Sequence, residues 1–170
     1  MQLSHFDTHF ERANFPVSVI CDHIYFQQNI GSLFRICEAF GVNEIIFTGK
    51  DIPLNPRKIN KTSRSTHLKV PYKIFEDSIE LKHYLQENNF QIIALEITQN
   101  SQSLSSVKIP KNQKIALLLG SEINGISEIL LQIAHQILHI NMYGENSSMN
   151  VVQAASICLY EITNRIQNLK

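Results

Sequence analysis

The chain has 170 residues, 44% of them hydrophobic and 18% charged, with 6 glycines and 5 prolines. Such a chain can bury roughly 70% of the surface it exposes when unfolded and lacks a disordered composition, so one domain spanning 1–170 is expected. Fifteen Lys and Arg balance fifteen Asp and Glu, and a zero total neither argues for nor excludes a nucleic-acid partner.

The first twelve residues carry His5, Asp7, His9 and Glu11 among apolar neighbours. That suits neither a secretory leader nor a membrane span, and a cytoplasmic protein is expected. Residues 17–20 read as a strand. Residues 30–40 read as a helix with Ile30, Leu33, Phe34, Cys37 and Phe40 on one stripe, stopped by Gly41. Strands follow at 44–48 and 72–75, a helix at 78–86, and strands at 90–96 and 114–119, the last a continuous apolar run of the kind buried on both faces. A helix from about 127 to 134, a strand near 137–140 and a long helix from about 149 to 166 complete the chain. This alternation predicts an α/β fold, a parallel sheet flanked by helices, with no internal repeat.

The cysteines Cys21, Cys37 and Cys158 are odd in number and set among apolar neighbours; they read as core residues in a reducing compartment. His135 and His139 stand four apart, as two metal ligands on a helix would. A strand begins between them, however, and no Glu follows as in H-E-x-x-H, so no metal is expected.

From residue 52 to residue 75 there is no acid, while Arg57, Lys58, Lys61, Arg64, Lys69 and Lys73 are basic. The plainer reading is a solvated loop face. The functional one is an RNA-phosphate patch centred on Arg57, Lys58, Lys61 and Arg64, and a second acid-free stretch, 97–121 with Lys108, Lys111 and Lys114, favours it.

Three polar segments interrupt the apolar pattern. Residues 29–35 (NIGSLFR) join the first strand to its helix; Asn29 is a natural N-cap, Gly31 permits close approach, and Arg35 falls about 140° from Ile30, away from the apolar stripe. Residues 117–125 (LLLGSEING) are a buried strand entering a glycine-bounded turn, at the strand end where open α/β sheets bind ligands. An ordinary turn with Asn124 or Ser127 capping the next helix would look the same. Residues 140–150 (INMYGENSSMN) end where the last helix starts, so Ser147 or Ser148 could cap it, and its free amides could receive an anionic group. The glycine fingerprint G-x-G-x-x-G is absent, which counts against a nucleotide-dependent oxidoreductase.

Taken in order, these segments resemble the three motifs of the SpoU (TrmH-like) branch of the SPOUT superfamily of RNA 2'-O-ribose methyltransferases. They are N-x-G-x-x-x-R at Asn29, Gly31 and Arg35, G-x-E-x-x-G at Gly120, Glu122 and Gly125, and S-[LM]-N at Ser148, Met149 and Asn150. Ala154, Tyr160, Glu161, residues 17–24 and the Lys61-Thr62-Ser63 stretch extend the likeness over nearly the whole chain. Val152 and Gln153 depart from the pattern after the third motif, and Gln27 and Gln28 replace the usual proline ahead of Asn29.

The resemblance implies a SPOUT-like sheet with a C-terminal trefoil knot, an exception to unknotted chain paths. It implies S-adenosyl-L-methionine held in that knot by Leu95, Gly120, Ile140, Ser148 and Met149, and a homodimer whose active site lies at the subunit interface. There Arg35 would act on the ribose hydroxyl, with Asn29, Glu122, Ser148 and Asn150 organising the site. tRNA is the first expected substrate, because the chain is little more than a catalytic domain; rRNA is the alternative, as is an RNA-binding protein that has lost turnover.

Overall fold

In the computed structural model, which describes residues 10–146 and 148–169, seven strands form one wholly parallel sheet. The elements alternate along the chain: β1 (Phe15–Asp22), α1 (Gln27–Ala39), β2 (Val42–Thr48), α2 (Pro56–Ser63), β3 (Tyr72–Phe75), α3 (Ser78–Glu87), β4 (Gln91–Leu95), β5 (Gln102–Ser103), β6 (Ile115–Leu119), α4 (Glu128–Leu131), β7 (Gln136–His139) and α5 (Val151–Asn168). Their order across the sheet is β3-β2-β1-β6-β4-β7-β5. The run 115–119 is central and buried at every position, as a strand covered on both faces should be. Side-chain alternation sorts the core into two layers. Val17, Val19, Leu117 and Ile93 face α1 and α5, whereas Ile20, Ala116, Leu118 and Ile92 face α3 and α4. No helix among the described residues is long and apolar enough to cross a membrane.

The cysteines lie in this core with free thiols. Burial pushes all three thiols up, that of Cys158 to about 12, so none is available as a thiolate.

Several boundaries and caps differ from the sequence expectation. α1 starts at Gln27, and Phe26 occupies the N-cap without a side-chain bond; Asn29 is not the cap but lies inside the first turn, buried. α5 is capped by Asn150, whose side chain accepts from the Val152 amide (2.9 Å), and not by Ser148; Ser147 lies outside the described residues, as do residues 1–9 of the N-terminal segment. α4 is a single turn rather than eight residues, and Ser127 precedes it without a side-chain bond, while the Asn124 amide donates to Ser121 Oγ (3.1 Å). The basic stretch is not a loop. Residues 56–63 form α2, with Asn55 Oδ1 accepting from Arg57 and Lys58 and Pro56 at the first helical position.

α2 rests on α1 where Gly31 lacks a side chain. A Cβ there would collide with Thr62 Oγ1 and lie 2.8 Å from the Ile59 carbonyl oxygen. Gly31→Ala should therefore lower stability by roughly 1–3 kcal/mol, an overpacking cost. Urea unfolding should show an earlier midpoint with an unchanged slope, and adding Thr62→Ala should recover only part of the loss because the carbonyl remains.

Candidate active site

The loops that leave the carboxyl ends of β4, β6 and β7, three neighbouring strands, enclose a cavity of about 710 Å³. Apolar wall is supplied by Leu95, Ile140 and Met149, and polar groups by Glu122, Ser148 and Asn150. The five residues expected to hold a cofactor, Leu95, Gly120, Ile140, Ser148 and Met149, all line it.

Two carboxylates shape the turn that forms its floor. β6 lies between β1 and β4; Asp22 ends β1, Glu96 directly follows β4, and each acid binds the segment that leaves β6. Asp22, fully buried, accepts from the Ser127 amide (2.7 Å) and contacts His23 Nδ1 (2.7 Å); Glu96 accepts from the Ile97 and Ile126 amides (2.9 and 3.1 Å). Between them, residues 121–125 close on themselves, with Gly125 N–H donating to the Ser121 carbonyl (2.9 Å). Gly125 adopts φ +64°, and a Cβ on Gly120 would fall on the backbone of Gly125 and Ile126. Close packing of backbone on backbone makes glycine obligatory at Gly120. Asp22 and Glu96 were missed in the sequence; the available signal was only an acid at the end of an apolar strand.

The three motifs meet at one hydrogen-bonded chain. Asn150 Nδ2 donates to Asn29 Oδ1 (3.2 Å), and Asn29 Nδ2 donates to Glu122 Oε1. The amide orientations are fixed from one end: because Asn150 Oδ1 accepts from the Val152 amide, its nitrogen must face Asn29, whose own nitrogen then faces the carboxylate.

Arg35 is not part of this arrangement. It is exposed on α1, does not line the cavity, and makes no ion pair among the described residues. The basic stretch divides in two. Lys69 pairs with Glu38 (3.3 Å) and Lys73 with the nearly buried Glu44 (2.9 Å), whereas Arg57, Lys58, Lys61 and Arg64 are exposed with no acidic partner among the described residues. Arg57 and Lys58 stand at the N-terminal end of α2, where the helix dipole disfavours cations. Helix stability does not account for them there. His135 Nδ1 accepts from the Ile92 amide (3.0 Å) and His139 Nδ1 contacts Ser101 Oγ (3.0 Å), so the two histidines serve separate networks. No group of three or more His, Cys, Asp or Glu side chains disposed around a metal occurs among the described residues.

Sequence and fold comparisons give this geometry a class. Residues 16–160 match the SpoU rRNA Methylase family, and the chain belongs to that family of RNA-methylating enzymes. It is 28% identical over 149 residues to the tRNA (guanosine(18)-2'-O)-methyltransferase of Thermus thermophilus, which covers 85% of this chain and 73% of that protein. Its fold matches the TrmH/SpoU tRNA modifying enzyme of A. aeolicus with a TM-score of 0.80 at 24% identity, over 93% of this chain and 78% of that one. It also matches the SpoU methyltransferase AviRb of Streptomyces viridochromogenes, solved with the cofactor AdoMet, with a TM-score of 0.79 at 20% identity, over 92% of this chain and 59% of that one.

Reversing the polarity of the Asn29–Glu122 bond tests the chain directly. Asn29→Asp removes the donor and sets two carboxylates together, and should cost about 1–3 kcal/mol. Glu122→Gln on that background restores a donor facing an acceptor. The double mutant should regain most of the loss in thermal unfolding, with a coupling of about 1 kcal/mol or more.

Proposed function

We propose that this protein is an S-adenosylmethionine-dependent methyltransferase acting on ribose 2'-hydroxyls of RNA, tRNA first, as a single SpoU-type domain over residues 1–170. The observation that carries the reading is the junction of all three motif segments beside a cavity of ligand size. About 710 Å³ lies within the roughly 300–1,000 Å³ of small-molecule sites. The residues fit the cofactor: an apolar wall at Leu95, Ile140 and Met149 for a flat base, and backbone exposed at Gly120 for hydrogen bonds. Preference for tRNA is supported by the similarity to the tRNA-methylating Thermus relative, and rRNA by membership of the SpoU rRNA Methylase family. An RNA substrate would place the enzyme in the cytoplasm.

S-adenosylmethionine supplies a methyl group on a positively charged sulfur. The chain's residues must place the ribose in line and stabilise the alkoxide that forms as its proton leaves. A guanidinium does not give up its proton in a protein, so Arg35 acts as a cation that stabilises the alkoxide and grips the adjacent phosphate; the proton passes to phosphate or water. Asn29 keeps Glu122 and Asn150, which line the cavity, oriented, and Ser148 offers a hydroxyl in the cavity wall. Arg57, Lys58, Lys61 and Arg64 hold RNA phosphates, two of them at a helix N-terminus suited to an anion.

Because Arg35 lies outside its own cavity, the reading includes a homodimer in which the arginine of one subunit serves the site of the other. A C-terminal trefoil knot formed by the segments around the cavity belongs to the same reading, supported by the family likeness. The direct test is methyl transfer from labelled S-adenosylmethionine to tRNA, followed by nucleoside mass spectrometry. A 2'-O-methylnucleoside is expected; binding of RNA without any transfer would identify an RNA-binding protein that has lost turnover.

Arg35→Ala and Gly120→Arg should each be inactive as homodimers. After subunit exchange in an equal mixture, half the dimers are mixed and each regains one complete site, so about a quarter of parental activity should return. An exchanged mixture that stays inactive excludes the shared site. Replacing Arg57, Lys58 and Lys61 by Ala should weaken RNA binding and flatten its dependence on salt by about three phosphate contacts, read as the slope of log affinity against log salt.

A further inference from the structure

His139 ends β7 and lines the cavity beside Thr98, and its ring is held by a network whose protons can be assigned. Ser101 Oγ makes three contacts: with the Thr98 carbonyl oxygen (2.8 Å), the Thr98 amide nitrogen (3.1 Å) and His139 Nδ1 (3.0 Å). A carbonyl can only accept, so the single hydroxyl proton of Ser101 goes to it. Were that proton given to the histidine instead, two oxygens would face each other across 2.8 Å with no hydrogen between them. The Thr98 amide can only donate, and the remaining contact is satisfied when His139 Nδ1 carries a proton and donates to Ser101. In the neutral ring Nε2 is then a bare acceptor, with no hydrogen-bond partner among the described residues.

The sheet order decides what this acceptor can meet. Glu122 follows β6, and β7 lies two strands away across β4, about 10 Å at the usual strand spacing. The reacting end of a methyl donor has to face the Asn29–Glu122–Asn150 junction, so its nucleoside end extends toward β4 and β7. The donor groups on an adenine are the two hydrogens of its exocyclic amine. Beside His139, Thr98 lines the same cavity and its Oγ1 is buried with no hydrogen-bond partner among the described residues, a group a polar ligand would satisfy.

We propose that His139 reads the base of the cofactor, Nε2 accepting a hydrogen bond from the 6-amino group of adenine, with the Ser101–Thr98 network holding the ring in the accepting tautomer. This rests on the cofactor reading above and adds to it a side-chain determinant of base identity at the cavity wall.

Calorimetry with S-adenosylhomocysteine and two analogues, one lacking the 6-amino group and one lacking the ribose 3'-hydroxyl, tests the assignment without any turnover. The parent chain should bind the 6-desamino analogue about tenfold more weakly than the adenine compound, the value of one such bond. His139→Phe keeps a ring but no acceptor and should bind both about equally, while His139→Gln, which offers a carbonyl oxygen, should restore part of the discrimination. A His139→Phe variant that still discriminates about tenfold overturns the proposal. So does a variant that loses discrimination only against the 3'-deoxy analogue, which would place the ribose at His139. Failure of the parent chain to bind S-adenosylhomocysteine removes the cofactor reading itself, a different result from binding that ignores His139.

Discussion

Two carboxamides and a carboxylate, Asn150, Asn29 and Glu122, hold together segments that lie 121 and 93 residues apart in the chain. Each is anchored in a different element, so the bonds fix the start of α5, the first turn of α1 and the turn after β6 relative to one another. Asn150 serves twice, capping α5 through its oxygen and reaching Asn29 through its nitrogen. Asn29 is buried, and a buried amide left without partners costs about 1–3 kcal/mol, so sliding either helix is penalised. Glu122 and Asn150 both line the cavity, so this chain fixes the spacing of two polar groups in its wall.

The floor of the cavity depends on a second pairing, of charge with backbone. Asp22 ends β1 and Glu96 directly follows β4, the two strands flanking β6, and their carboxylates grip the amides of Ser127 and Ile126 from opposite sides. Charge-assisted bonds of this kind are about twice as strong as neutral ones. They hold residues 125–126 close enough over Gly120 that no side chain fits there. A glycine in the second motif is thus required by two acids that lie outside all three motifs.

What the sequence made legible follows from this division. The apolar strands, the stripe of α1 and the stop at Gly41, which adopts φ +61°, are local signals and were readable. α2 was not, because only Ile59 and Ser63 of its eight residues are buried, leaving no apolar period to detect. Asn29 looked like a cap because a cap is what a lone asparagine ahead of a helix does best; tertiary partners recruited it instead. The cavity-lining glycine and the residues around Ser148 were legible through family likeness, and the exposure of Arg35 through helix geometry alone. Asp22, Glu96 and His139 act through neighbours brought by the sheet order, which periodicity does not encode.

The spacing of the first motif has a geometric cause in this fold. On a helix turning about 100° per residue, Gly31 and Arg35 fall on one stripe, about 40° apart, while Asn29 points well away from both. The side toward Glu122 and Asn150 therefore carries the buried amide, and the other side carries the missing side chain that seats α2 and, one turn on, the exposed guanidinium. Gly31 seats α2, the helix that carries Arg57, Lys58 and Lys61, against the stripe of α1 to which Arg35 also belongs. Moving the arginine by two residues would carry it about 160° around α1, away from the face that holds Gly31. The motif is thereby explained as a constraint on two faces of a single helix: the Asn29 amide on one, and on the other the glycine against α2 with the exposed arginine one turn on.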